Sequence, residues 1–482
     1  MAKQVPLHSS SSSSILSSRR LHLIGIGGTG MRPLAEIAHL KGFHVSGSDQ
    51  SRSTNVERLI AAGIPVAAEH TAANLPPKPC EIIISSAIKA DNPELKAACE
   101  QGYSIVHRSD LLKLLMVGKK AICVSGTHGK TSTTAMLAYM LHALELDPTA
   151  AIGGELVGLE KSSFVGSGDY FVAECDESDG SFLKYDPFIS IVTNIDLDHL
   201  DHYGDIEGLK KAFLSFIQKT DKDGCAVVGW DNPIVRELMS SFSGSKLAFG
   251  TRMGSEVRGT RFTSHGRTVA YEAVVDKTLV ASEAALVGKH NFQNILCCLA
   301  VANVLELDLA AAALALSHYP GVGRRFSLMA EYAGVKIYDD YAHNPGKIRS
   351  CIEGARSAFP SERILIIFQP HRYSRLETMY NEFMQSFGAA DEVFVLPVYA
   401  AGETSTRDFS PARVAKDIQD ASKVRASKYE TDVLKARLSH QQSPTVLITI
   451  GAGDVWRLSQ EWKEFLHGPE TQTKDPSIEP KA

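Results

Sequence analysis

Two short stretches of this chain carry residues suited to gripping phosphate. The first in importance is Gly126-Thr127-His128-Gly129-Lys130-Thr131-Ser132, which follows the apolar run Ala121–Ser125 and opens a helical pattern from about Ser132 to Leu144. In such a loop successive amides cradle phosphate oxygens, a lysine reaches the β- and γ-phosphates, and a threonine hydroxyl binds Mg²⁺. Lys130 and Thr131 hold those positions. The usual G-x-x-x-x-G-K-[ST] pattern needs glycine at 124, where this chain has Val124, so the loop is a shortened variant. A Gly-Lys-Thr also turns up in ordinary loops, but rarely between a strand and a helix. The expected ligand is a triphosphate, ATP.

The second stretch, Gly25-Ile26-Gly27-Gly28-Thr29-Gly30, matches G-x-G-x-x-G after the strand-like Leu21–Gly25, and a helical stretch runs from Met31 to Gly42. Asp49 lies about 20 residues on, where dinucleotide folds keep a ribose-binding acid. Close backbone approach and a helix N-terminus suit a pyrophosphate. NAD, FAD and UDP-sugars all present one, and an unliganded tight turn is the plainer alternative. Two phosphate-binding turns in succession imply two phosphorylated ligands, which argues against an NAD(P)-dependent oxidoreductase.

A third cluster suits a cation. Glu174, Asp176, Glu177 and Asp179 are four carboxylates within six residues after the strand-like Tyr170–Ala173. They repel one another unless a cation or basic group is near; a solvated acidic loop is the plainer reading. Asn194-Ile-Asp196-Leu-Asp198-His199 ends the next apolar run. Hard oxygen ligands favour Mg²⁺, while His199, Asp201 and His202 lack a cysteine at zinc-site spacing.

The elements that must position these residues are α/β units. Strand-like runs at 21–25, 44–49, 81–85 and 104–107 form a first domain (21–117). Runs at 121–125, 170–173 and 189–193 form a second (118–320), with antiparallel strands expected over about 246–288 and a helix over about 291–305. Runs at 335–338, 364–367, 392–396 and 446–450 make a third, parallel domain (321–467). Alternating strands and helices argue for parallel sheets. At 482 residues several cores are expected. With 50 basic and 55 acidic residues, net −5, nothing attracts nucleic acid or an anionic membrane globally. No apolar run approaches the roughly 20 residues of a membrane helix. The eight cysteines show no Cys-x-x-Cys spacing and read as buried thiols of a reducing, cytoplasmic compartment. Residues 1–20, with the Ser9–Ser14 run, read as a disordered extension with some transit-peptide character, and 468–482 as a disordered tail.

From about residue 21 to 465 the chain resembles the peptidoglycan-precursor amino-acid ligases. The motifs are Gly25–Met31, Gly126–Thr131, Asp176-Glu-Ser-Asp-Gly-Ser-Phe182, Asn194–His199, His290-Asn291-Phe-Gln-Asn294, Gly323-Arg-Arg325-Phe, Asp339-Asp340-Tyr-Ala-His343 and Gln369-Pro-His371-Arg372-Tyr-Ser-Arg375. The resemblance implies a Rossmann-like N-terminal domain for a UDP-substrate, a P-loop ATPase central domain with added antiparallel strands, and a Rossmann-like C-terminal domain that closes over the ligands. It implies ATP and Mg²⁺, the substrates UDP-N-acetylmuramate and L-alanine, and a monomer or homodimer.

By the same resemblance Gly25, Gly27, Gly28, Gly30, Met31, Asp49, Ser85 and Ser86 hold the UDP-substrate. Residues Gly126 to Ser132, Asn291, Asn294, Arg325 and Asp340 hold ATP, and Thr131, Glu174 and His199 hold metal. Lys130, His199, Arg325, His343, Arg372 and Arg375 are the expected catalytic set. Capping is the bland role for the two asparagines, and a salt-bridged surface for Arg372 and Arg375. Tyr341-Ala-His-Asn344-Pro345 departs from the Tyr-Gly-His-His-Pro more usual in alanine-adding members and resembles ligases of later stem residues. Val398-Tyr-Ala-Ala-Gly-Glu403 and the His371–Arg375 segment favour alanine. The rival within the family attaches a preformed peptide to the same UDP-muramate; a non-catalytic P-loop switch is the rival outside it. A carbamylated lysine ligand has no clear position, with Lys210 and Lys211 the nearest candidates.

Overall fold

A computed structural model of the chain describes residues 20–159, 161–198, 200–439 and 443–467. Residues 1–19 of the expected extension, His199 and the tail from 468 lie outside the described residues, while Arg20, expected in the extension, begins the first strand. The chain divides into two compact units. One runs through Arg261 and adds Tyr271–Ser282 and Gln293–Pro320; the other takes Phe262–Ala270, Glu283–Phe292 and the chain from Gly321 onward.

Five parallel strands form the first sheet, ordered Val66–Ala67, His44–Ser48, Arg20–Ile24, Glu81–Ile84, Ser104–His107. The order reverses at the central strand, so the turn at Gly25 opens at the switch point where such sheets bind ligands. Leu21 and Leu23 pack into one core and Ile24, with Ile82 and Ile84, into another. Burial on both faces explains the unbroken apolar runs. One polar group interrupts them. His22 Nε2 lies 2.8 Å from Glu94 Oε1, Ser48 Oγ donates to Glu94 Oε2 at 2.5 Å, and the His22 and Glu94 side chains are 2% and 0% exposed. Asn92 caps the helix Pro93–Glu100 and so fixes where Glu94 stands.

The second sheet has ten strands. Lys120–Ser125 sits inside it between Tyr170–Glu174 and Ile189–Val192, parallel to both, and Cys225–Gly229 and Lys246–Gly250 continue the parallel set. The antiparallel expectation over 246–288 therefore needs correction at its start: Lys246–Gly250 is parallel. Val257–His265, Thr268–Val275 and Thr278–Ala284 follow as neighbours joined by two-residue turns, and such short links only join antiparallel strands. Beneath the sheet the Phe182 ring lies 5.2 Å from that of Phe213 and 5.1 Å from that of Phe216, both on the helix Ile206–Gln218.

Six strands form the third sheet, ordered Ser327–Tyr332, Val335–Asp340, Thr445–Ile450, Arg363–Phe368, Glu392–Val395, Arg425–Lys428. Five are parallel, but Ser327–Tyr332 pairs antiparallel with Val335–Asp340, contrary to the all-parallel expectation. The cause is the Ala333-Gly334 turn, with φ of 48° and 80°, the two-residue hairpin whose twist matches paired strands. Among the described residues no helix is long and apolar enough to cross a membrane. Seven of the eight free cysteines are buried and Cys99 is exposed, against the expectation of burial throughout.

Replacing Glu94 by Ala strands the His22 imidazole in a dry site and is expected to cost about 3 kcal/mol, read as a lower urea midpoint. Burial pushes the Glu94 carboxyl up, but bonds from His22 and Ser48 bring it below its usual range. Its stabilisation is therefore present above the unfolded pKa and is lost as pH falls through the folded one. The difference between wild type and Glu94→Ala should shrink in acid.

Candidate active site

Register sets the first half of the site. Val124 pairs with Glu174 and Ser125 with Val192, so three strands end level and three loops leave one sheet edge together. In α/β sheets this carboxyl edge holds the ligand. The loop after Ser125 needs glycine twice. Gly126 has φ of 127°, and a Cβ there would stand 2.2 Å from Thr193 Oγ1; Gly129 has φ of 85°, and a Cβ would stand 2.8 Å from Asn294 Oδ1. The loop is tied to the third of these segments: Asn194 Oδ1 accepts from His128 N at 2.8 Å, Thr193 Oγ1 donates to His128 O at 2.6 Å, and Thr127 Oγ1 accepts from Asp196 N at 2.9 Å. Gly129 gives the helix Lys130–Ala143 no side-chain cap, so its positive end faces the loop, as an anion site requires. Thr131 and Ser132 stand in its first turn.

Lys130 Nζ donates to Gly126 O at 2.6 Å and lies 2.8 Å from both Glu177 oxygens. Burial lowers the affinity of this ammonium for its proton, but Glu177, Asp176 and Glu174 outweigh that and raise it above the usual lysine value. Glu174 has one oxygen, Oε2, that is buried without a hydrogen-bond partner; it lies where a Cβ on Gly153 would be 2.1 Å away. A dry carboxylate oxygen without a hydrogen bond is a donor that fits Mg²⁺, and Thr131, in the first turn of the helix, would supply a hydroxyl. His199, the third expected ligand, lies outside the described residues, and among those described no group of three or more His, Cys, Asp or Glu is gathered as a metal site. Lys210 is held by two carboxylates. Its amine lies 2.9 Å from Glu207 and 2.9 Å from Glu237, which raise its pKa, and carbamylation needs the neutral amine.

At the first glycine turn Gly25, with φ of 74°, and Ile26 donate to Ser48 O at 2.8 and 3.1 Å. A Cβ on Gly27 would stand 2.7 Å from Val56 Cγ2. Gly28 N donates back to Gly25 O at 3.1 Å, and Met31 begins the helix Arg32–Leu40 without a side-chain cap. Asp49, expected on a ribose, has Oδ2 bonded by Gly27 N and Oδ1 by Ser51 N, both at 2.9 Å, so it shapes the turn itself. Ser85 caps the following turn through its carbonyl, taken by Ile88 N at 3.0 Å. Ser86 Oγ donates to Asp179 Oδ2 at 2.6 Å and lies 3.2 Å from His107 Nε2.

Sequence reasoning missed His107 and Arg108. Arg108 Nη2 donates to Asp176 at 3.4 Å, and its Nη1 lies 3.0 Å from where a Gly30 Cβ would be. The available signal was their place at the end of the Ser104–His107 strand, at the carboxyl edge of the first sheet. Burial pushes the Asp179 carboxyl up, yet hydroxyls of Ser181 and Ser86 pull it down to about 2.

The second unit carries Arg325, Asp340, His343, Arg372 and Arg375 at the carboxyl edge of its own sheet. Asp340 accepts from Phe326 N at 2.8 Å and Ala342 N at 2.7 Å; burial, against the pull of Arg325, raises it to about 6. The Arg325 guanidinium lies 5.4 Å from the Tyr341 ring centre. Its neighbour Arg324, which sequence reasoning passed over, bonds Asp339 Oδ2 at 3.0 Å and Gly451 O at 2.7 Å from a φ of 59°. His343 Nδ1 lies 2.9 Å from Tyr341 O. Burial first, then Lys347 and Arg375, hold this imidazole well below its usual range, hence neutral.

Arg372 has φ of 68°, a left-handed backbone that is strained in a non-glycine residue. Arg375 Nη1 lies 3.3 Å from His371 Nδ1, and His371 stacks on Tyr399 with centroids 5.4 Å apart. Asn291 Nδ2 donates to Val287 O at 2.9 Å at its helix start, whereas Thr133 Oγ1 donates to Asn294 Oδ1 at 3.1 Å, which ties Asn294 to the phosphate-loop helix. Asn344 caps the helix Pro345–Ala358, accepting from Lys347 N at 2.9 Å.

Residues 20–120 match the description "Mur ligase family, catalytic domain", 124–302 "Mur ligase middle domain" and 324–453 "Mur ligase, glutamate ligase domain". A Sorangium cellulosum protein named UDP-N-acetylmuramate–L-alanine ligase is 38% identical over 443 residues, 91% of this chain and 94% of its own length. The solved UDP-N-acetylmuramate-alanine ligase of Thermotoga maritima aligns at TM-score 0.78 and 29% identity, covering 92% of this chain and 98% of that one. A murein peptide ligase of Psychrobacter arcticus aligns at TM-score 0.67 and 22% identity over 92% of this chain and 97% of its own, a likeness of fold alone.

Two measurements test this geometry. Asn344→Ala should lose about 1 kcal/mol of stability and Asn344→Asp should keep most of it, compared by thermal unfolding. Carboxyl NMR on aspartate-labelled protein should show Asp340 titrating near 6. A carboxyl raised in the fold holds its proton more tightly there, so this group adds stability as pH falls from about 6 toward the unfolded value of ~3.9.

Proposed function

The chain belongs to the Mur ligase family, and from that membership we propose that it joins L-alanine to the carboxylate of UDP-N-acetylmuramate, converting ATP to ADP and phosphate in the cytoplasm. The observation that carries the chemistry is the phosphate cradle of Gly126, Gly129 and the Lys130 ammonium, at the sheet edge where the strand bearing Glu174 also ends. The acceptor is taken from the relatives that match at 38% and 29% identity along nine-tenths of the chain. Asn344, the departure that pointed toward later ligases, caps the helix Pro345–Ala358.

In this reading the muramyl carboxylate attacks the γ-phosphate of ATP and forms an acyl phosphate with release of ADP. The amine of L-alanine then attacks the acyl carbon and phosphate departs. Such chemistry rests on neutralising anions and on holding reactants in line. Lys130 and the first-turn amides bind the phosphates, and Asn294 braces the loop through Gly129. Thr131, Glu174 and His199 would hold Mg²⁺, which supplies positive charge at the phosphates. The glycine turn at Gly25–Gly30, with Ser86 and Arg108 beside it, takes the UDP-substrate. Arg325, Arg372 and Arg375 contribute cationic charge toward the acyl phosphate. In this reading His343, neutral, accepts a hydrogen bond from the incoming amine. Domain limits of 21–117, 118–320 and 321–467 complete the proposal.

Phosphate release from ATP and Mg²⁺ should require UDP-N-acetylmuramate and L-alanine together and fall at least about a hundredfold in Lys130→Ala. With ¹⁸O in the muramyl carboxylate, label should appear in the released phosphate; its absence would remove the acyl phosphate. Release with a stem peptide but none with L-alanine would move the acceptor to the recycling reaction.

A further inference from the structure

The carboxylate opposite Lys130 has no part in the mechanism above. Glu177 lies 47 residues from Lys130 in sequence, yet Lys130 Nζ is 2.8 Å from each of its oxygens, and the two side chains are 13% and 2% exposed. The remaining reach of the ammonium goes to Gly126 O at 2.6 Å. Of the ammonium's three protons, one goes to Gly126 O and one to Glu177 Oε1, and Glu177 Oε2 adds a charge contact at 2.8 Å. The glutamate cannot drift away, because its main chain is pinned: its carbonyl accepts from Gly180 N at 3.0 Å and from the Tyr203 hydroxyl. Of the other carboxylates, Glu174 keeps one oxygen without a hydrogen bond, and Asp176 and Asp179 are engaged by Arg108 and Ser86. Within the acidic loop, then, Glu177 is the carboxylate bound to the phosphate-binding lysine.

We propose that Glu177 is a placeholder anion: its carboxylate stands in for the nucleotide's phosphate on Lys130, and ATP binds by taking that ammonium from it. The inference rests on the ATP reading of the loop. A lysine paired with a fixed carboxylate is available to phosphate only in the fraction of molecules where the pair is open, and apparent affinity falls by that fraction. A carboxylate left beside a polyphosphate also repels it. Both effects make Glu177 an opponent of ATP binding and a positioning residue for Lys130. Its benefit is an empty loop that stays ordered, with a buried ammonium never left without an anion.

The test is calorimetric binding of a non-hydrolysable ATP analogue with Mg²⁺ to wild type, Glu177→Gln, Lys130→Ala and the double variant. Glu177→Gln should bind about tenfold more tightly than wild type, and this gain should vanish in the Lys130→Ala background. In turnover, KM for ATP should fall without a rise in kcat, a split that simple loss of structure would not produce. Unchanged or weaker binding by a Glu177→Gln protein with wild-type melting overturns the inference. If that variant does not fold, a wild-type crystal structure with the analogue decides: Nζ on phosphate and away from Glu177 supports the proposal, and Nζ still on both carboxylate oxygens overturns it. Wild-type affinity in Lys130→Ala would instead remove the ATP reading of the loop.

Discussion

A largely buried ammonium must be answered by negative charge, and much of the first unit is arranged around that demand. Lys130 stands at the open end of a helix, where backbone dipoles already favour anions. The register of Lys120–Ser125 between its two neighbours then brings the Glu174–Asp179 loop alongside. Without that loop a lysine so enclosed would lose its charge; with it the charge is held above the ordinary lysine value. The same loop faces the first sheet, where Arg108 and Ser86 hold Asp176 and Asp179. One six-residue segment thereby touches the elements assigned to both phosphorylated ligands.

Much of this was legible in the sequence because the central strands are parallel and covered on both faces. Such strands must be continuous apolar runs, and Ile82–Ile84, Ala121–Val124 and Val446–Ile450 stand out for that reason. Glycine turns directly after them were legible too, since a left-handed φ and a close neighbour leave no alternative residue at Gly126 or Gly129. Short edge strands such as Val66–Ala67, Ser163–Phe164 and Arg425–Lys428 were not. They bury little and owe their conformation to the strand beside them. Strand order and long-range pairs, Lys130 with Glu177 or Arg108 with Asp176, are settled by packing and leave no mark in local spacing.

Some motif residues have a plain structural task in the fold. Asn344 looked informative because it sits beside His343 in a segment assigned to the incoming amino acid. Its side chain is turned to the backbone of its own helix, a role for which asparagine is among the best residues. Asp49 is a similar case: the spacing of a ribose ligand is met, but the carboxylate closes the turn that presents the glycines. Arg324 shows the converse. Its left-handed backbone and its bonds to Asp339 and Gly451 O place it firmly at the sheet edge, though only its neighbour was expected there.

The phosphate cradle is lined by main chain, and its tight points are glycines whose Cβ positions are occupied by Thr193, Asn294 and, at Gly153, the Glu174 carboxylate. That has a consequence for inhibition. Resistance commonly arises by exchanging a side chain that an inhibitor touches. A compound that bonds only to the amides and carbonyls between Gly126 and Lys130 meets few such side chains, and every single substitution of these glycines adds an atom where the fold has no room. Escape would have to come from elsewhere, through altered uptake, raised expression or distant changes that shift the loop as a whole.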